Sequence, residues 1–125
     1  MARTFVKAYE YNDPELIEKI GHLLGSDEWY REHSQHIWRK KGKTFYLLCD
    51  EEGVLISVVS LYKNLLGDAY TVPALRHRGH LEELPKEIVR PGMKFGTANP
   101  YVVRIANRFG FKYASKRGKY EYFEN

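Results

Sequence analysis

Apolar and polar positions change their period several times along the chain, and each change predicts an element. Thr4 to Tyr9 alternates as a strand does. Asn12-Asp13-Pro14 predicts a turn and a helix start, with Asp13 as the cap and Pro14 at the first helical position. Leu16, Ile17, Ile20, Leu23 and Leu24 then recur at helical spacing, and Gly25 stops the helix. Ser26 caps a second predicted helix that runs to Lys40, with Trp29, His33, Ile37 and Trp38 on related faces. Thr44 to Asp50, the turn Glu51-Glu52-Gly53, and Val54 to Leu61 form a hairpin pattern. Lys63 to Gly67 reads as a connection into a strand from Asp68 to Val72, which Pro73 ends. A short helix is expected over Gly79 to Leu84, with Pro85 stopping or kinking it. After a turn at Pro91-Gly92 come a strand from Met93 to Ala98 and a helix from Pro100 to Arg108, closed by Gly110. Phe111 to Ala114 and Tyr120 to Phe123 are the last strands, separated by Lys116-Arg117-Gly118-Lys119.

The predicted order is β-α-α-β-β-β-α-β-α-β-β. Strands alternate with helices only in the second half, which argues for an α/β (α+β) fold: a mixed sheet with helices on both faces. The length, 125 residues, is that of one domain, taken as residues 1–125. A hydrophobic share of 43% with 29% charged residues excludes a disordered chain and allows one modest core. No apolar run is long enough to span a membrane, and the first residues lack the apolar core of a signal peptide, so the expected location is the cytoplasm. The single cysteine, Cys49, lies within the apolar run Phe45 to Cys49 and reads as a small buried hydrophobe. A net charge of +4 suits an anionic ligand or a nucleic acid and does not choose between them.

The stretch richest in chemistry is Thr71-Val72-Pro73-Ala74-Leu75-Arg76-His77-Arg78-Gly79-His80-Leu81. A strand ends, a basic loop with a glycine follows, and a helix begins. Backbone N–H groups at such a junction converge on one concavity and can hold phosphate oxygens, with Arg76 and Arg78 adding charge. Two histidine pairs, His33-x-x-His36 and His77-x-x-His80, have ligand-like spacing, but the sequence assigns them no third ligand, so no metal site is expected. Protonated His77 and His80 would instead suit an anion in the loop.

This stretch resembles the GNAT-type N-acetyltransferase pattern V-x-P-x-Y-R-G-K-G-x-G, in which R/Q-x-x-G-x-G/A is the pyrophosphate loop. Thr71 takes the valine position and Pro73 the proline. Leu75 replaces the aromatic, Arg76 and Gly79 match, and Leu81 replaces the last glycine. Downstream, Asn99 to Phe111 resembles N-x-x-A-x-x-L-Y-E-K-x-G-F. Asn99, Gly110 and Phe111 match in identity, and Val102, Ile105 and Arg108 in character. The resemblance implies a small, divergent, phage-like GNAT domain with a mostly antiparallel sheet of six to seven strands. It implies binding of acetyl-CoA or another acyl-CoA, with Thr71, Val72, Arg76, His77, Arg78, Gly79, His80, Leu81 and Asn99 as the cofactor-binding set.

The implied reaction is attack of an amine on a thioester carbonyl. Backbone N–H groups near Thr71 and Val72 would hold the acyl oxygen, and Asp68 would act as base directly or through water. The family tyrosine that protonates the leaving thiolate falls on Ala106, so Tyr101 is the replacement acid to consider. The acceptor amine stays open between a small molecule, a protein and a nucleic acid base, and a homodimer stays open beside a monomer. The alternative is a GNAT-fold protein with altered or lost catalysis, as in divergent phage-encoded members, that modifies or binds nucleic acid or has a structural role. Trp29, Tyr30 and Trp38 beside Arg39-Lys40-Lys41 would suit that partner.

Overall fold

The computed structural model describes residues 3–24, 26, 27, 29, 30, 37–76 and 78–125. The expected helix stop at Gly25, the His33/His36 pair, His77 and the side chain of Leu81 lie outside that description. Strand β1 (Thr4–Glu10) leads to helix α1 (Pro14–Ile20), where the Asp13 side chain accepts from the Glu15 N–H and Pro14 opens the first turn. Strands β2 (Lys43–Asp50), β3 (Leu55–Tyr62) and β4 (Leu65–Thr71) form an antiparallel meander. Helix α2 (His80–Ile88), strand β5 (Lys94–Thr97), helix α3 (Pro100–Ala106) and the hairpin β6 (Lys112–Arg117) and β7 (Tyr120–Glu124) complete the chain.

All seven strands join one sheet in the order β1-β2-β3-β4-β5-β7-β6. Alternation sends the side chains of each strand to two faces, and each face has its own core. On one face Phe45, Leu47, Val58 and Tyr70 pack with Leu16 and Ile20 of α1, Leu23 and Trp29. On the other Leu48, Ile56, Val59, Leu66 and Phe123 pack under Leu84 and Ile88 of α2 and Ala106 of α3. The architecture is thus the mixed, mostly antiparallel sheet with helices on both faces. Among the described residues no helix is long and apolar enough to cross a membrane.

Several boundaries differ from the sequence reading. The segment Ile37–Lys40 is not helical. Ile37 is buried, Trp38 is exposed, and a turn bonded from the Lys43 N–H to the Lys40 carbonyl feeds β2. Strand β4 begins at Leu65 and not at Asp68, because Lys63-Asn64 alone makes the turn, with Lys63 at φ 56. Pro85 does not stop α2. Leu84 and Ile88, one turn apart on the buried face, hold the helix together past the missing N–H.

Two irregularities shape the centre of the sheet. The register between β3 and β4 slips so that Tyr70 pairs with Val58 but Gly67 with Ser60, leaving an extra residue on β4. Asp68 sits in this bulge with φ 52, a conformation that aspartate tolerates better than most side chains. Next to it, β4 and β5 run parallel and pair only at Leu65 and Lys94. From that shared start the two strands part.

Candidate active site in the gap between β4 and β5

The parting of the strands opens a cavity of about 470 Å³, within the size range of small-molecule sites. Consecutive residues of both strands line it, Leu65 to Ala69 from β4 and Phe95 to Asn99 from and just beyond β5. Tyr120 and Tyr122 alternate with Phe123, which packs on the α2–α3 face, so the wall draws residues from both faces of the sheet at the gap. Val59, Leu66, Phe95, Val102, Ile105 and Phe109 make much of the wall apolar, with Pro85 of α2 and Val89 just past its end beside them. Tyr120 and Tyr122 wall it from β7.

Asp68 lines this cavity, and its carboxylate is already engaged. Oδ2 accepts from the Ser60 hydroxyl at 2.7 Å and lies 2.6 Å from the Lys43 ammonium. The Lys43 and Asp68 side chains are only 12% and 6% exposed, so the pair is shielded from solvent. Lys43 is held in turn by the Trp38 carbonyl at 2.7 Å and sits over the Phe45 ring.

Asn99 also lines the cavity, and its side chain caps α3, accepting from the Tyr101 N–H at 2.9 Å. Tyr101 is not part of the wall. Its hydroxyl donates to Glu82 Oε1 of α2 at 3.2 Å, and Arg108 reaches the same oxygen at 2.7 Å. Desolvation, followed by the Glu82 charge and hydrogen bond, pushes the Tyr101 phenol above its ordinary value. Ala106 lines the cavity.

Among the described residues, those of the β4–α2 loop do not line this cavity. The Val72 N–H donates to the Ile56 carbonyl within the sheet, and the Leu75 and Arg76 N–H groups bond inside the short turn Pro73–Leu75. Ladder alternation therefore turns the N–H and C=O of Thr71 toward the open edge of β4. That carbonyl accepts from Arg76 Nε at 2.8 Å, which folds the guanidinium back over the strand end and the Tyr70 ring. The Thr71 hydroxyl lies 3.0 Å from the Ser57 hydroxyl. Gly79 adopts φ 80 ahead of α2 with open space where a side chain would project, and Arg78 is exposed. His80 Nδ1 is 2.9 Å from Glu83 Oε2.

Of the residues singled out in the sequence, the fold thus brings Asp68 and Asn99 to the cavity and strings Thr71, Val72, Arg76, Arg78, Gly79 and His80 along the adjoining strand end and loop. Sequence reasoning passed over Gly96, Tyr120 and Tyr122. Gly96 pairs with Tyr122, and a Cβ on Gly96 would stand 2.5 Å from the Tyr122 ring, so the ring lies against bare backbone. The visible signal was the alternation Tyr120-x-Tyr122 opposite a strand glycine.

A sheet of this order, helices on both faces and a central pair of parting parallel strands make up the fold of the GNAT-type N-acetyltransferases. The likeness to solved structures is extensive in shape and slight in sequence. A Klebsiella pneumoniae protein with a proposed acyl-CoA N-acyltransferase activity superposes with a TM-score of 0.67 at 11% identity, covering 96% of this chain and 94% of its own. A spermidine N-acetyltransferase from Vibrio cholerae, solved with CoA and spermine, gives 0.66 at 12% identity over 96% and 92% of the two chains. A GNAT-family acetyltransferase from Staphylococcus aureus gives 0.59 at 16% identity over 97% and 99%. No family model matches the sequence. No curated protein sequence matches it either.

Proposed function

We propose that this protein is an acyl-CoA-dependent N-acyltransferase that moves an acyl group, acetyl in the simplest case, from the thioester to an amine. The observation that carries this reading is the cavity at the gap in the sheet between β4 and β5. Its wall draws residues from both faces, which suits two reactants, the thioester approaching from the α2–α3 face and the amine from the other.

The residues present fit such a donor. The apolar wall of Leu66, Phe95, Val102 and Phe109 suits the pantetheine arm. The open edge of β4 directs the Thr71 N–H at the gap, where it can hold the acyl carbonyl. Val72 is replaced in that role, since its N–H is committed to Ile56. The diphosphate belongs at the loop, where Arg76, Arg78 and the backbone from Gly79 through His80 to Leu81 meet the start of α2, a nine-residue helix. Glu82 and Glu83 in the first turn of α2 would oppose an anion, but Arg108 and His80 respectively pair with them. Asn99 stiffens the start of α3 where that helix borders the arm.

Asp68 acts in this reading through its pairing with Lys43, by fixing the bulge that shapes the gap. Tyr101, bonded to Glu82 outside the wall, is replaced as the source of the thiolate's proton by Tyr120, a phenol in the wall, or by water. A thiol with an ordinary pKa of about 8.5 is a good enough leaving group to need little help.

Thermal stabilisation by acetyl-CoA tests the proposal. At a hundred times its dissociation constant the ligand should add about 2.7 kcal/mol to the unfolding free energy. The Val102→Trp variant, which fills the α3 side of the gap, should melt like the wild type alone and lose the shift. No shift with the wild type would remove the acyl-CoA reading.

A further inference from the structure

We infer that the acceptor is an amine carried on a flat, unsaturated ring, weakly basic and uncharged at neutral pH, and not an alkyl polyamine. The inference rests on the acyltransferase reading of the same cavity and concerns only its second reactant.

Charge is the first argument. An alkyl amine with a pKa near 10.4 is neutral in only about one molecule in 2,500 at pH 7, so a site that uses one needs a carboxylate to recognise the cation and a base to take its proton. Among the described residues the cavity wall holds one carboxylate, Asp68, and no histidine. The Asp68 charge is met by Lys43 at 2.6 Å and by the Ser60 hydroxyl at 2.7 Å, both in shielded positions. Lys43 cannot readily swing aside, since the Trp38 carbonyl and the Phe45 ring hold it. A cation entering here would meet an ammonium beside a carboxylate that is already neutralised.

The wall supplies the second argument. Tyr122 is 37% exposed and lies with its ring against Gly96, so close that a side chain at that position would clash with it. Tyr120, two positions earlier on β7, lines the same cavity. The Tyr122 ring covers the bare backbone of Gly96 on one side and stays partly exposed on the other, which leaves a flat aromatic surface in the wall for a planar ring to stack on.

The chemistry closes without a base. The unprotonated nitrogen forms a bond to the thioester carbonyl carbon, and the C–S bond breaks with its electron pair leaving on sulfur. The nitrogen, made acidic by the ring and by the new bond, gives one proton to water, and the thiolate takes one proton back. The products are an amide and free CoA thiol.

The test gives the full chain acetyl-CoA and one of three probes: 4-methylaniline, a single-stranded DNA oligonucleotide rich in adenine and cytosine, or spermine. Thiol release and product mass are the readouts. At neutral pH a ring amine should react at least about tenfold faster than spermine, with a rate that stays level as pH rises into the alkaline range, since the inferred acceptor is already unprotonated. Acetylation of the oligonucleotide would place the ring amine in nucleic acid, and acetylation of the aniline alone would make it a small molecule. Tyr122→Ala should lower kcat/KM for the ring amine by about tenfold, the loss of one stacking partner. Preference for spermine, or stabilisation by acetyl-CoA with neither ring amine acetylated, would overturn the inference and leave the acyltransferase reading standing. Absence of stabilisation by acetyl-CoA would take both down.

Discussion

Asp68 shows how one residue can join several roles. Its backbone takes up the left-handed turn of the bulge, and its carboxylate fastens the start of β2 to the middle of β4 through Lys43. Removing one partner of a shielded pair leaves the other charge without compensation. Asp68→Ala should therefore cost about 3 kcal/mol in a denaturant melt, and Lys43→Met should cost less on that background than it does alone. If the two changes add independently, the pair does not hold the bulge. The sequence made Asp68 visible as a carboxylate at the start of a strand, but gave no hint of Lys43. The two are far apart in the chain, and only the register of β2, β3 and β4 places them together. Tyr101 illustrates the reverse. Its place at the start of a helix was legible, yet the side chain meets Glu82 of α2, a contact set by how the two helices pack.

At the scale of elements, strands and caps were the most legible features. Asp13-Pro14 and Asn99-Pro100 each cap a helix as their residue types dictate, and the β2–β3 hairpin was visible from its alternation. Asn99→Ala should destabilise the fold by about 1 kcal/mol through loss of its bond to the Tyr101 N–H, measurable as a lower melting temperature. It should also weaken acetyl-CoA binding, since α3 borders the gap. The boundaries that differed have local causes. Leu65-Leu66-Gly67 resembles a loop by its glycine, but Leu66 is buried in the sheet face and starts β4 early. Pro85 looks like a terminator, but burial of Leu84 and Ile88 outweighs one missing hydrogen bond. The width of the gap was not legible at all. It arises from a bulge and from a parallel pairing that ends after one contact, and neither leaves a periodic trace.

For the molecule as a whole, burial raises the pKa of three groups above their ordinary values: the Tyr9 phenol, the Cys49 thiol and the Tyr101 phenol, with desolvation as the largest cause in each. A raised pKa means that the folded state binds the proton more tightly than the unfolded chain. The associated stability is fully present below the unfolded values and is lost as pH rises through the folded ones. Denaturant melts should therefore show constant contributions from these groups through neutral pH and a decline above the ordinary thiol and phenol ranges. Cys49, buried on β2, should react with iodoacetamide only as fast as the protein opens. Stability that held level far into the alkaline range would contradict the buried placement of these groups. The fold itself, with a cavity at the gap in its sheet, is the feature from which the functional reading follows. Backbone amide shifts in ¹⁵N-labelled protein, recorded as acetyl-CoA is added, test that reading most directly. The account predicts saturable changes concentrated in Leu65 to Thr71, Phe95 to Asn99, the start of α2 and the cavity side of α3, with the β1–α1 side unmoved. Changes centred on the exposed Trp38 and its neighbouring lysines, or no changes at all, would contradict it.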